Sequence, residues 1–393
     1  MSRNAFCVDG TLESPSHCRD SAQLPCDLWR GAEAVLRYRS SLSWHEREVL
    51  EETVFMFGRA PESYDVVHPG GSLLKTPCGQ GFLNVYPDGR HWHIPGGMLA
   101  ADELKPSMVG WLRQIAEMQR RTIAVYSVTA DEVPLFRDAG YAVNKFGEEP
   151  VIDLGGLNWQ GKPFEWIRRQ TNFCRRQGLV VDEITCPEAR KSLSQELLTV
   201  LVEDLSDRVY SRPLQLLEGH FDPQFLFRGR LFVARCGKAG RTEAFVAVYP
   251  MENGQSWAFE TYRRRKDAPR GAVPFLFRTV IDQLQAEGVR RVSLCLVLGR
   301  GVTNDISAEA DPRIRWLLGS GYSRLNFIFN TAGQDHFKSR FRPRYVDRYL
   351  CVTPHNSLSS IVSFLKTSGV LRPNLRNLAA RLLPRFGRSS NPG

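Results

Sequence analysis

The stretch WAFETYRRRKDAPRGAVPFL, residues 257–276, decides how the chain is read. It has the pattern of a strand that carries Glu260, Tyr262 and Arg263 to its end. A short basic loop, Asp267-Ala268-Pro269-Arg270-Gly271, then opens into a helix over residues 272–287. A Gly-containing turn ahead of a helix can serve as a backbone anion site, because the first N–H groups lack partners and the helix dipole adds positive charge. Phosphate is the expected guest. An ordinary strand-to-helix connection with a solvated Arg cluster fits the stretch equally well.

Upstream and downstream the same order of elements recurs. Residues 81–86 alternate, Pro87-Asp88-Gly89 turns, and residues 90–94 alternate again. A helix over 106–120, a strand over 122–128 and a short helix over 133–139 follow. Gly140-Tyr141 stops that helix and leads into a strand pair over 145–154. In the second half, strands over 231–235, 244–250 and 257–263 are joined by Lys238-Ala239-Gly240 and Glu252-Asn253-Gly254 turns. Next come the helix over 272–287, a strand over 291–296 and a short helix over 312–318. Gly321-Tyr322 is expected to stop that helix, with a strand running on to residue 329. Two matched halves predict a duplicated α/β unit with mixed central sheets. Helices are also predicted over 28–38, 44–57, 163–177 and 192–207. In the helix over 163–177, which joins the halves, Arg168 and Arg175, like Arg169 and Arg176, are seven apart and share a face.

Composition narrows the partners. The 393 residues include 42% hydrophobic and 10% aromatic residues, enough for real cores and against wholesale disorder. The formal charge of +10 calls for an acidic partner: nucleic acid, an anionic membrane surface or a phosphorylated ligand. Nine cysteines with no CxxC pair argue against a zinc cluster and for reduced thiols in a cytoplasm. Cys18 beside His17 lacks a second ligand pair, and His91 and His93 share a strand face without a third ligand, so no metal is expected. Cys295, in the predicted core strand, is expected to be a packed, inert thiol. No signal peptide and no apolar run near the roughly 20 residues of a membrane span are seen, so a soluble or peripheral protein is expected.

After Asp347 no acidic residue follows. Lys366, Arg372, Arg376, Arg381, Arg385 and Arg388 are interleaved there with apolar residues such as Ile361, Phe364, Leu365 and Leu378. Such a basic amphipathic tail suits an anionic membrane surface, or a helix packed on the domain with a frayed end.

Taken together, the motifs resemble the catalytic domain of the bacterial aminoacyl-phosphatidylglycerol synthases, the lysyl-phosphatidylglycerol synthase or multiple peptide resistance factor family. The resemblance runs over roughly residues 60–352 and rests on four motifs in order. Gly147-Glu148-Glu149-Pro150 with Asp153-Leu154 resembles the family's GEEA-like strand. Gly161-Lys162, Ile167-Arg168, Asn172 and Gly178 follow its next motif. Glu260-Thr261-Tyr262-Arg263 matches its Asp-Leu-Met-Arg strand end, and residues 337–350 match its closing FKxKFxPxWxxRYL. Glu260 stands where the family has Asp, and Val292-Ser293-Leu294-Cys295 replaces an FNLG-like strand.

The resemblance implies tandem acetyltransferase-like (GNAT) units. It also implies transfer of an aminoacyl group from aminoacyl-tRNA, the donor substrate and the only cofactor-like requirement, to a lipid hydroxyl such as that of phosphatidylglycerol. Glu260, Arg263 and Lys338 become the candidate catalytic residues. Arg168, Asn172, Tyr262, Arg270, Gly271, Arg340 and Arg348 become candidates for substrate binding, and Glu148 and Glu149 for the contact between units. The expected division is an extension over 1–27, a GNAT-like unit over 28–158, a catalytic unit over 159–352 and the basic tail over 353–393. Expected partners are aminoacyl-tRNA and an anionic phospholipid at the inner face of the membrane, reached through the tail because the family's transmembrane flippase has no counterpart here. The oligomeric state stays open. An acyl-CoA-dependent acyltransferase and a non-catalytic binder of tRNA or membrane are the alternatives.

Overall fold

The structure is a computed structural model that describes residues 29, 31–237, 240–304, 310–324 and 331–382. Its first half begins with β1 (Leu36–Tyr38), α1 (Trp44–Phe57) and a 3-10 helix, Pro61–Val67. The strands β2 (Ser72–Lys75), β3 (Phe82–Asp88) and β4 (His91–Ile94) form the meander. Then come α2 (Lys105–Met118), β5 (Thr122–Thr129), α3 (Val133–Asp138) and β6 (Ala142–Asp153).

The second half runs through α4 (Glu165–Arg176), β7 (Leu179–Glu183) and α5 (Pro187–Ser206). Its meander is β8 (Arg230–Cys236), β9 (Thr242–Met251) and β10 (Ser256–Arg264). There follow α6 (Ala272–Ala286), β11 (Arg291–Ser293), β12 (Val297–Leu298), α7 (Pro312–Ser323), α8 (Thr331–Ser339) and β13 (Arg344–Thr353). Two tail helices close the described chain, α9 (Leu358–Thr367) and α10 (Leu375–Leu382).

The described strands form one mixed sheet in the order β1-β2-β3-β4-β5-β13-β6-β11-β10-β9-β8-β7, with β12 on β6. Each half contributes an antiparallel meander whose last strand lies parallel to the next one, β4 to β5 and β10 to β11. A parallel neighbour requires a crossover, and α2 and α6 supply it. The terminal strands are then exchanged. β13, from the second half, pairs with β5 of the first, while β6, from the first half, pairs with β11 of the second. These two exchanged strands pair with each other in the middle of the sheet. The architecture is a pair of GNAT-like α/β units sharing one mixed sheet.

Residue parity along the strands shows that both faces of the sheet are covered. In β8 and β9, Phe232, Ala234, Val246 and Val248 pack under α4 and α6, whereas Leu231, Val233, Phe245 and Ala247 pack under α1 and α5. Every residue of β9 is buried, as expected of a central strand sandwiched between helices. In β5, Ile123 and Val125 face the α2 core, and Ala124 and Tyr126 face α7 and α9. Helices of one half thus cover strands of the other.

Several expectations need correcting. The helix foreseen over 28–38 is a short strand, Leu36–Tyr38, hydrogen-bonded along β2, because sheet pairing outweighs the local helical period. The strand pair over 145–154 is one strand, Ala142–Asp153, long enough to meet β13, β11 and β12. The strand over 291–296 ends at Ser293, since Cys295 takes a left-handed φ of 64°. Gly321-Tyr322 does not end its helix, which runs to Ser323. The strand expected up to residue 329 lies outside the described residues, as do residues 1–28, Cys18 and His17 among them.

His91 and His93 are both buried. His93 Nδ1 meets the Tyr126 hydroxyl at 2.8 Å and Nε2 meets Ser363 Oγ at 2.9 Å, so its ring is a core polar link. In the tail, Phe364 stacks on Tyr126, and Lys366 and Ser363 bind Asp88, fixing α9 to the first half. No helix among the described residues is long and apolar enough to cross a membrane.

The exchanged strands are locked by a buried ion pair. Glu149 of β6 (1% exposed) binds the guanidinium of Arg348 in β13 (6% exposed), which also donates to the carbonyls of Ser127 and Arg59. Removing one partner leaves the other charged and buried. Glu149→Ala is therefore expected to lower unfolding stability in urea by about 3–5 kcal/mol, and the double change to Met at both positions to recover much of that loss.

Candidate functional site

β10 departs from regular pairing where its function-bearing residues begin. Phe259 pairs with Val248 and Thr261 with Ala247, so Glu260 is the extra residue of a bulge, and a bulge re-aims the side chain it carries. Glu260 points into a cavity of about 560 Å³ whose walls come from both halves. Pro61 and Glu62 arrive from the first half's 3-10 helix, Phe337 and Lys338 from α8, and Leu294 to Leu296 from the break between β11 and β12. A further wall is the irregular segment after α5, from Arg208 to Gly219, and the rest is made by β10, by Trp166 and Gln170 of α4, by the end of α5, by the start of α6 and by Gly333 and Gln334 of α8. Gly219 roofs Glu260 so closely that a Cβ there would lie 1.9 Å from the carboxyl Oε1. The tail holds this segment: Asn374 N–H donates to the Val209 carbonyl at 2.7 Å and Asn377 Nδ2 to the Arg208 carbonyl at 2.8 Å.

Burial governs the charges. Glu260 is pushed well above the usual carboxylate range by desolvation, with the Asp65 and Glu62 charges adding to it, and its Oε1 is buried with no hydrogen-bond partner. Glu62 is 6% exposed, its Oε2 is likewise without a partner, and burial lifts it to about 7. Lys338, 3% exposed, is pulled down by burial and donates from Nζ to the carbonyls of Cys295 at 2.9 Å and Leu296 at 3.3 Å. An ammonium has three donors, so one remains for the cavity. The Cys295 thiol is pushed well above its ordinary value by burial and stays protonated, as an inert thiol would. Tyr262 is raised to about 12 by burial and packs among Phe277 and Phe337 on the cavity wall.

The candidate residues separate into two groups. Glu260, Tyr262, Arg263, Arg270, Gly271 and Lys338 all line the cavity. Arg263 is engaged there by Glu218 at 3.0 Å and lies 3.8 Å from Asp204. The others stand away from its lining. Arg168 donates to the carbonyls of Trp159 and Gly161 and orders the turn before α4. Asn172 is exposed on α4. Arg340 lies over Trp166, which itself lines the cavity, and contacts His336. Arg348 is occupied by Glu149, and Glu148 by Lys145 and Arg300.

The turn ahead of α6 is tighter than an anion cradle would be. Gly271 has φ 98°, and a side chain there would meet Gln170 Oε1 at 2.6 Å. Ala272 N–H bonds the Pro269 carbonyl, Pro274 has none, and Phe275 N–H bonds Gly271, which leaves Val273 for a ligand.

Glu62, Gly219 and Tyr249 were not found from the sequence. Tyr249, in β9, has its hydroxyl buried without a hydrogen-bond partner, and the Glu260 charge adds to the burial that raises it. Glu62 sits in a Pro-Glu-Ser run that resembles any helix start, and Gly219 in a loop with no motif. Neither carries a local signal, since what matters is their approach to Glu260 across the chain.

Two GNAT-like units sharing a sheet, with a buried carboxyl at a strand bulge facing a cavity between them, define a class of paired α/β protein. The chain belongs to the family described as phosphatidylglycerol lysyltransferase, C-terminal, whose model matches residues 59–352. It is 23% identical over 246 residues to the phosphatidylglycerol lysyltransferase of Bacillus subtilis, covering 63% of this chain and 28% of that protein. The bifunctional lysylphosphatidylglycerol biosynthesis protein LysX of Rhodococcus opacus is 21% identical over 367 residues, covering 90% of this chain and 31% of that protein. The chain thus spans under a third of the length of these relatives. Among solved structures, the C-terminal domain of a putative lysylphosphatidylglycerol synthetase from Agrobacterium fabrum shares the fold at a TM-score of 0.67 and 21% identity, over 83% of this chain and 98% of that one. L-PGS from Bacillus licheniformis does so at 0.67 and 19%, over 83% and 97%.

Burial of Glu62 has a measurable consequence for stability. Its folded value, about 7, lies above its ordinary 4.5, so the native state holds a proton that the unfolded chain releases. That contribution is present below about pH 4.5 and is lost as pH rises through about 7. Glu62→Gln is expected to unfold at higher urea than the wild type at pH 8, by a few kcal/mol at most, with the difference closing at pH 5.

Proposed function

We propose that this chain is an aminoacyl-lipid synthase, moving an aminoacyl group from aminoacyl-tRNA to a hydroxyl of an anionic phospholipid of the phosphatidylglycerol type. The observation that carries this reading is the cavity itself, in which the Glu260 carboxyl and the Lys338 ammonium face one space, in a family whose curated members are named as phosphatidylglycerol lysyltransferases. The donor is an activated ester, so the work left to the protein is to orient the acceptor hydroxyl and to stabilise the tetrahedral oxyanion. Lys338 provides the charge beside that oxyanion with its uncommitted N–H. Glu260 orients the acceptor hydroxyl or the substrate amine. The acceptor oxygen attacks the ester carbon, the bond to the tRNA ribose oxygen breaks, and that oxygen leaves with the proton the acceptor hydroxyl gave up. Arg264 and Arg270, exposed at the cavity rim, suit the phosphates of either substrate.

The tail supports access to lipid. Leu358, Val362, Leu371 and Leu375 stay exposed while Arg372 and Arg376 are exposed among them, a pattern suited to an anionic surface. The same tail touches the wall of the cavity, so a peripheral position at the inner membrane would set the opening near the bilayer. An acyl-CoA donor is less well supported, because the turn ahead of α6 offers a pyrophosphate few backbone donors.

The test is transfer of label from charged tRNA into chloroform-soluble lipid by the purified protein with phosphatidylglycerol liposomes. Labelling is expected to be RNase-sensitive and to fall at least about a hundredfold in Glu260→Gln, the loss that misplacing a reacting group can cause. A non-catalytic binder would transfer nothing and would bind tRNA or liposomes equally well with Glu260→Gln.

A further inference from the structure

Residues 207–222, which include the wall over Glu260, belong to no helix or strand. Near its start this stretch is held by the tail, and near its end Phe221 packs on Phe245 of β9, ring to ring at 4.7 Å. His220 stands between Gly219 and Phe221 and reaches across to the first half, where its Nδ1 meets Asp65 Oδ1 at 2.6 Å.

Asp65 is built to receive that contact. It is 5% exposed, and its Oδ2 accepts from the Tyr86 hydroxyl at 2.6 Å, Asn84 Nδ2 at 2.9 Å and Arg39 at 3.3 Å. Three donors thus converge on one oxygen, and Oδ1 is left for His220. Burial works to raise this carboxyl, but Arg39 and His220 outweigh it and hold it well below the usual carboxylate range. Asp65 is therefore ionised, and Nδ1 of His220 is the donor.

We infer that the Asp65–His220 contact is a latch between the two halves that holds Gly219 down on Glu260 and keeps water from that carboxyl. His220 lies outside the cavity lining, so it is a positioning residue, acting through the backbone of the residue before it. Gly219 can come so close because it has no side chain; a Cβ there would lie 1.9 Å from Glu260 Oε1. With the latch open, the wall lifts and water reaches Oε1, which favours the ionised carboxylate. The bearing of the latch on transfer rests on the transferase reading, whereas the latch itself rests on the contact alone.

A purely electrostatic role for His220 acts in the opposite direction. Around it stand Asp65 and His68 at the 3-10 helix, Arg39 from the turn after β1 and Tyr86 of β3, with Asp222 two residues on in its own segment. Glu260 feels the Asp65 and Glu62 charges, and Tyr249 lies near it. Burial lowers His68 to about 4, so it is neutral, while the hydrogen bond from Asp65 raises His220 toward its charged form. Losing that cation leaves the Asp65 charge less compensated and pushes Glu260 further up. Losing a latch lets Glu260 fall, so the two roles differ in sign.

The test follows the protonated carboxyl band of Glu260 by infrared spectroscopy through a pH titration of the full chain, with the band assigned by subtracting the Glu260→Gln spectrum. Wild type, His220→Ala, His220→Asn, Gly219→Ala and the double variant of His220→Ala with Gly219→Ala are compared, each shown by circular dichroism to be folded. Asn places its Nδ2 where the histidine has Nδ1, so it keeps the latch donor. The midpoint is expected about one pH unit below wild type in His220→Ala and close to wild type in His220→Asn. Gly219→Ala, whose Cβ forces the wall off, is expected to lower it as well, and the double variant to go no lower than the lower of its two single changes.

A midpoint that is unchanged or raised in His220→Ala overturns the inference. An equal drop in His220→Asn does so too, as do additive drops in the double variant. Should His220→Ala fail to fold, His220→Gln takes its place under the same criteria, because its amide lies at the Nε2 position and not at Nδ1. Lipid labelling separates the latch from the transferase reading. A pH profile of labelling that moves with the infrared midpoint supports both. A midpoint that moves in a protein labelling no lipid leaves the latch standing and counts against the transferase. Labelling that needs Glu260 while the midpoint stays in place counts against the latch alone.

Discussion

The pairing of β6 with β13 is the contact on which the rest of this molecule depends. Each strand completes the other half's sheet, and the ion pair between Glu149 and Arg348 fixes their register from within. Had each half kept its own last strand, two separate sheets would have met only at their surfaces. With the exchange, the sheet is continuous, and the first half's 3-10 helix comes to lie against β10 of the second. The cavity is a product of that arrangement. Its two carboxyls with a buried, unpartnered oxygen come from opposite halves, Glu62 from one and Glu260 from the other.

Desolvation sets the chemistry of that cavity more than any single pair of charges. Glu62, Glu260, Lys338 and Cys295 are all shifted toward their neutral forms with burial as the leading cause. A site of this kind is poised, because a ligand of either sign changes which groups hold protons. The backbone contributes to the same end. The bulge at Glu260 turns its carboxyl inward, and the left-handed φ at Cys295 interrupts its strand where the Cys295 and Leu296 carbonyls bind Lys338.

The tail ties the site to the outside. α9 is docked through Phe364, Ser363 and Lys366, and the segment around Asn374 and Asn377 clasps the irregular wall beside the cavity. The exposed leucines and arginines of the tail therefore lie on helices that flank residues in contact with the cavity wall.

The repeated order of meander, crossover helix and strand is a matter of local periodicity and turn chemistry, so the duplicated α/β architecture and most element boundaries could be read from the residues alone. The helix over 44–57 matches Trp44–Phe57, where Ser43 and Glu46 cap each other. Glu260, Arg263 and Lys338 could be singled out as candidates because they sit in short motifs, and the structure brings all three to one cavity. The failures have one physical origin. Residues 28–38 chose a strand because β2 offered it an edge, and Arg348 went to Glu149 rather than to the cavity because strand exchange buried it beside a carboxylate. Glu62 and Gly219 become functional candidates only through contacts made across the sequence. Local patterns determined the two units and the motif residues, and the tertiary structure alone decided which side chains would be desolvated together, because burial belongs to the packed chain and not to any segment of it.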